Sequence, residues 1–446
     1  MRRHKTLVSP VLARRKPLTI TRGLAIYPQN GNSGLAAFPA PGDRSGMNNT
    51  PVSPGPGPGD EFSLPARVRV SSPGDILAVV PHLLGFHPAR SLVVVGVGAL
   101  AGEGGSAPRI ELAFRYDLPD PPDAAITAGI AGHAAAVLGQ RRLHAVIGIG
   151  YGPGALVTPV ADALAGAVRQ RGLRLHELMR VEDGRYWSYI CANPDCCPPD
   201  GVRFDVQASP AAAAMTVAGL VAYPDRAALA GTLAPVTGAP ARSMQRATIR
   251  ARARAAKLVS LGGRGHLDPA TTLLAEAGRR AVRDFIASYR AGRPITAAEP
   301  VAWLSVTLAH LPVRDDAWAR MDPQHRNAHL RMWSDVVRRA RPAYLAAPAS
   351  LLAFTAWQSG EGALANIALD RALAADPHYS LAHLLRDILD AGVPPSEARL
   401  PMTPEQVADG YSVATAAEPA APPPGRRVPK RRDLGTSGGK PGPTAR

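Results

Sequence analysis

Three cysteines fall between positions 191 and 197, in the run Gly184-Arg185-Tyr186-Trp187-Ser188-Tyr189-Ile190-Cys191-Ala192-Asn193-Pro194-Asp195-Cys196-Cys197-Pro198-Pro199-Asp200-Gly201. Thiolates bind zinc tetrahedrally through four ligands. Cys191, Cys196 and Cys197 offer three, and His176, His82 or His87 would have to be brought in by folding. Against a zinc site, Cys-x4-Cys-Cys is not the C-x2-C knuckle, and adjacent cysteines rarely chelate one ion comfortably. For redox chemistry, Cys191 and Cys196 can bridge, whereas a vicinal Cys196–Cys197 disulfide would be strained. The leading expectation is structural: small thiols buried in a Pro-stiffened loop beneath Tyr186 and Trp187. Three clustered cysteines do not make a disulfide framework.

Acid–base candidates lie elsewhere in the chain. His82 and His87 flank a Leu-Leu-Gly-Phe turn, where a histidine is usually a capping or core hydrogen-bonder. The catalytic alternative pairs one of them with Asp75 or Asp117 as a general base. Asp117 is expected at the carboxyl end of a strand, the edge where open α/β sheets bind ligands. Arg115 or Arg185 would meet an anionic substrate there, or form solvated ion pairs.

Two motifs concern phosphates. Gly150-x-Gly152-x-x-Ala155 fits a dinucleotide fingerprint between a strand and a helix. Pro153 removes a donor and Glu177 is a poor ribose acid, so a plain tight turn is the expectation. Arg242, Arg246, Arg250 and Arg254 recur every four residues with Lys257 on the same face. Such a stripe can track phosphates nonspecifically. No aromatic residues interleave for base stacking, so a solvated face is the simpler account.

The elements that must position these residues alternate. Val68–Ser71 reads as a short strand, and Ser72-Pro73-Gly74-Asp75 opens a helix through Leu84. Ser91–Val97 is a β-branched run suited to a strand buried on both faces, and Arg109–Tyr116 alternates as a second strand after a glycine-rich hairpin loop. A helix at 123–138, a strand at 144–149, a helix at 156–171 and a strand at 173–181 follow. The pattern predicts an α/β sandwich built mainly of parallel βαβ units. From 268 onward every strong pattern is helical. Leu352, Gly360, Ala365, Leu369, Ala372 and Pro377 mark one tetratricopeptide-like hairpin, where a solenoid needs about three.

Three of these blocks together resemble a known family. Pro81-His82-Leu83-Leu84-Gly85-Phe86-His87-Pro88 with Ser91–Val95, then Arg115-Tyr116-Asp117-Leu118-Pro119, then the cysteine block, are similar to the bacterial family called domain of unknown function 4192. The resemblance spans about Val68 to His383 and implies an α/β domain followed by a helical part. The family has no established activity, so no residue role carries over.

Composition sets the remaining bounds. The chain of 446 residues is 46% hydrophobic but 5% aromatic, enough for a sizeable core short of ring anchors. Gly 43 and Pro 45 exceed what one compact unit holds, so tails are expected. Arginine outnumbers lysine heavily among 51 basic residues, and with the Ala, Gly and Pro excess this points to a high-GC bacterial genome. The net charge of +16 is concentrated: residues 1–46 carry 8 basic and 1 acidic, and residues 242–293 carry 12 and 3. Both the folded regions outside that segment are near neutral, so basicity alone argues weakly for nucleic-acid binding. No secretory signal and no membrane-length apolar run is visible, which suggests a cytoplasmic protein.

The expected organisation is a disordered 1–65, an α/β domain at 66–235, an Arg-rich connecting helix at 236–267, an all-α domain at 268–395 and a disordered tail at 396–446. Met47 opens the stretch running into the first ordered region and is a candidate start. The functional expectation is a ligand- or partner-binding or regulatory module, with protein contacts through 294–395. The competing class is an enzyme whose cleft joins His82 or His87, Asp117 and the Cys191–Cys197 loop, with zinc as the cofactor to consider. A nonspecific nucleic-acid binder acting through the arginine stripe is the third.

Overall fold

The computed structural model describes residues 18–29, 68–98, 109–141, 143–261, 269–395, 397 and 403–416. The first half forms one mixed sheet. Its strands are β1 (Leu18–Gln29), β2 (Val68–Val70), β3 (Ser91–Gly98), β4 (Arg109–Asp117), β5 (Leu143–Tyr151), β6 (Leu175–Glu182), β7 (Arg185–Ser188) and β8 (Val202–Arg203). The order is β2-β1-β4-β3-β5-β6-β7-β8. β3, with all eight residues buried, is the central strand its β-branched run predicts.

The α/β class holds, but "mainly parallel" needs correction. β3 runs antiparallel to both β4 and β5. β4 and β5 therefore point the same way, joined by helix α2 (Ala124–Gly139), with β3 inserted between them. Among the described strands, the parallel pairs are β5–β6, joined by helix α3 (Gly154–Gln170), and β1–β4. A helix can follow a strand without its next strand becoming the neighbour in the sheet, so element order alone could not distinguish the two.

α2 and α3 pack together over one face of the sheet. Glycines let them approach: a Cβ at Gly96 would come within 3.2 Å of Leu138, and one at Gly150 would overlap Val157. Helix α1 (Pro73–Leu84) begins at a capping box in which Ser72 Oγ accepts from the Asp75 N–H. It ends at Gly85, whose φ of 80° favours glycine. Helix α4 (Pro210–Val217) packs against α1, and Ser209 Oγ donates to Asp75 at 3.1 Å.

The second half is helical. Helices α5 (Arg226–Gly231), α6 (Gly238–Leu261), α7 (Pro269–Arg290), α8 (Ala298–Thr307), α9 (Leu311–Ala319) and α10 (Arg326–Arg339) lead to the hairpin α11 (Ala346–Gln358) and α12 (Gly362–Ala375). Ala365 and Ala372 are fully buried there, and Gly360 turns the chain at φ 80°. Helices α13 (Ser380–Asp390) and α14 (Pro404–Ala416) follow.

Two elements lie within the segments expected to be tails. β1 lies inside the segment expected to be disordered: it pairs in parallel with β4 because β4's outer edge offers unpaired backbone groups, and it runs beside α12. α14 lies inside the expected C-terminal tail and docks on α9, with Tyr411 hydroxyl on the Asp315 carboxylate. α6, in the segment expected as an Arg-rich connecting helix, buries its small residues Ala247, Ala251 and Ala255 where it packs on α8. The Pro-Gly run at 54–59, Met47 and residues 417–446 lie outside the described residues.

One contiguous apolar core runs through both halves. Asp370 of α12 takes Arg226 of α5 at 2.7 Å and Arg386 of α13 at 2.6 Å. Arg141, just after α2, donates to the Gly392 carbonyl at 2.7 Å. Part of the 294–395 surface expected to meet a partner is thus spent on the chain's own sheet.

Candidate metal centre

The cysteine loop hangs from a tight hairpin. β6 and β7 are joined by Asp183 and Gly184 alone, at φ 47° and 69°, the two left-handed residues that a two-residue Asp-Gly turn requires. Pairing then fixes the faces. Trp187 is opposite Arg180, whose guanidinium stacks 3.8 Å from the ring centroid and pairs with Glu182 at 2.6 Å. Tyr186 and Ser188 take the other face with Glu177, which is almost fully buried.

The loop is pinned at both ends. Trp187 Nε1 donates to the Pro199 carbonyl at 2.8 Å, and Arg185 Nη1 to the Asp200 and Gly201 carbonyls at 2.9 and 3.0 Å. Gly201, at φ 75°, lies under the Trp187 ring where no Cβ fits. At the entry, Ser188 Oγ donates to Glu177 Oε1 at 2.7 Å and accepts from the Ile190 and Cys191 N–H groups. Inside, the Asn193 carbonyl accepts from the N–H of both Cys196 and Cys197. This turn folds the second and third thiols back onto the first.

Cys191 Sγ and Cys196 Sγ are 3.0 Å apart, Cys196 and Cys197 Sγ are 3.6 Å apart, and all three lie within 4.8 Å of one another. With Zn–S near 2.3 Å, a tetrahedral site has sulfur–sulfur edges of about 3.8 Å; the Cys196–Cys197 separation comes close to this and the Cys191–Cys196 pair is shorter. The hydrogen bond from Cys196 holds the Cys191 thiol below its ordinary value, whereas burial pushes Cys197 up. Burial, with the thiols and Glu177 beside it, also pushes up the Tyr186 phenol.

Two expectations change here. The thiols are half-buried rather than core residues, and their sulfurs lie against one another. Trp187 packs on the Pro199–Gly201 end of the loop. Arg185, read as an anion contact, is committed to loop carbonyls. Ser188 was not singled out from sequence, and Glu177 was weighed only as a ribose acid, not as a neighbour of the thiols. The inward register of a polar residue on a buried strand was their available signal.

The mixed catalytic cleft is not assembled. Asp117 on β4 is separated from β7 by β3, β5 and β6, four strand spacings or roughly 19 Å. It accepts from Arg115, which is buried with its guanidinium 5.4 Å from the Phe86 ring. His82 Nδ1 hydrogen-bonds the Leu220 carbonyl at 2.9 Å. Partial burial and then the nearby His82 lower the His87 pKa. Neither histidine is among the groups that perturb the thiols, and among the described residues no further His, Cys, Asp or Glu joins the three sulfurs.

The phosphate motifs resolve into packing. Gly150 faces Val157, and the Leu156 and Val157 N–H groups donate to Pro153. Glu177, already a poor candidate for the ribose acid, is held by Ser188. In the basic stripe, Arg250 pairs with Glu299 and Arg254 stacks 4.0 Å from the Trp303 ring, so half of the four arginines dock on α8. No helix of the described residues is long and apolar enough to cross a membrane.

A family model described as "Domain of unknown function (DUF4192)" matches residues 73–396. No curated protein and no solved structure matches the chain.

Proposed function

The chain belongs to the DUF4192 family, and from its thiol loop we propose that it is a metal-bearing binding module: Cys191, Cys196 and Cys197 hold one zinc ion, and an external ligand takes the fourth position. The convergence of three sulfurs within 4.8 Å carries this reading. Borderline-soft zinc suits a thiolate set, and a site with three protein ligands keeps one position open to water or a bound group. The loop supports the role, because Arg185, Trp187 and Ser188 fix its ends independently of the ion. Reduced thiols and a metal rather than a disulfide fit a reducing compartment.

Metal per chain, measured by inductively coupled plasma mass spectrometry on tag-free protein purified without chelator, tests the proposal. About one zinc per chain is expected, lost in each of Cys191→Ser, Cys196→Ser and Cys197→Ser while circular dichroism stays native. Metal-free wild type that fails to take up added zinc, or zinc retained in all three variants, overturns it.

A further inference from the structure

The three sulfurs are not equivalent partners for one another. Cys191 and Cys196 are 3.0 Å apart, about an ångström beyond the ~2.05 Å of a disulfide bond. Cys196 and Cys197 are neighbours in sequence, where a disulfide would be strained. The Asn193 turn between Cys191 and Cys196 brings those two together, and Ser188 anchors Cys191 by its backbone. Closing that pair needs motion within the loop only, because Arg185 and Trp187 hold the far end to β7.

We propose that the site is a redox-gated metal site: a peroxide oxidises Cys191 and Cys196 to a disulfide and the ion is released, leaving Cys197 as a free thiol. This deepens the metal reading and rests on it for the release step, while the disulfide step stands without it. The Cys191 thiolate attacks one peroxide oxygen. The S–O bond forms, the O–O bond breaks, and the departing hydroxide takes a proton to become water. The Cys196 thiolate then attacks Cys191 Sγ, forming the S–S bond as the S–O bond breaks, and the second hydroxide also leaves as water. Two thiols lose two electrons, hydrogen peroxide is reduced to two waters, and zinc keeps its charge throughout. A single remaining thiolate is too few ligands to retain the ion.

The experiment treats the reduced, zinc-loaded full chain with a few equivalents of hydrogen peroxide. Free zinc is followed with a colorimetric chelator, and disulfides are mapped by peptide mass spectrometry. One zinc released per Cys191–Cys196 bond is expected, reversed by a dithiol reductant plus zinc. Cys197→Ser should still form the bond, whereas Cys191→Ser and Cys196→Ser should not. Zinc lost with sulfinic acids but no disulfide, a Cys196–Cys197 bond instead, or zinc retained after oxidation overturns the proposal. If the reduced chain never holds zinc, the metal reading fails and so does the release step. Mapping on the metal-free chain then decides whether the disulfide step survives: a Cys191–Cys196 bond keeps it, and its absence removes that too.

Discussion

Glu177 sits buried behind the thiols, tied to the loop through Ser188, and its charge opposes the Cys191 thiolate. Glu177→Gln keeps an oxygen to accept from Ser188 and removes that charge. The pH midpoint for alkylation of Cys191 by iodoacetamide should move down; an unmoved midpoint means Glu177 only braces the loop. Zinc binding must displace a proton from Cys197, whose thiol burial pushes up. Zinc affinity should therefore fall as pH falls, with a steeper slope than one thiol would give, measurable by chelator competition. A second titration lies far from the thiols. Burial lowers His329 to about 4, and its Nε2 accepts weakly from the Asp322 N–H. Between pH 6.5 and 4 the unfolded chain takes up this proton and the folded one does not, so stability declines as pH falls through that window. The full difference is about 3 kcal/mol. His329→Gln should remove that part of the acid-side slope in urea titrations, and an unchanged slope would assign it to other groups.

At the scale of elements, glycines separate packing from ligand chemistry. Gly150 lets α3 lie against β5, and Gly150→Ala pushes a methyl into Val157. Overpacking of this kind costs about 1–3 kcal/mol, read as a lower midpoint of thermal unfolding. A phosphate-loop role would instead leave the midpoint unchanged. Gly132, exposed on α2 with nothing within 4 Å of its would-be Cβ, is the matched control. Gly132→Ala should stabilise by about 0.5–1 kcal/mol. The elements themselves were readable where a local signal existed. The Ser72–Asp75 box, the buried β3 run and the α12 hairpin spacing each depend on residues close in sequence. β7 and β8 were not read, because Arg185–Ser188 and Val202–Arg203 lack the alternation that marked the comparably short β2.

At the scale of the whole molecule, β1 lies between β4 and the edge strand β2 and touches the helical half through α12. A chain starting at Met47 would lack β1, expose the β4 edge and remove the α12 contact. Its unfolding midpoint should fall and concentration-dependent association should appear by light scattering, as unpaired edges invite pairing; an unchanged midpoint would make β1 dispensable. The sequence by itself determined the α/β-then-helical class, the family and the loop that carries the thiols, because β-branched runs, capping residues and the three motif blocks are local signals. The tertiary structure alone decided which residues meet. It set the antiparallel β3 between β4 and β5, put Asp117 four strands from the thiols, and turned three cysteines with unpromising spacing into one cluster. The reason is physical: strand order and loop closure are fixed by long-range backbone pairing and by bonds such as Trp187 to Pro199, and neither leaves a periodic trace in the chain.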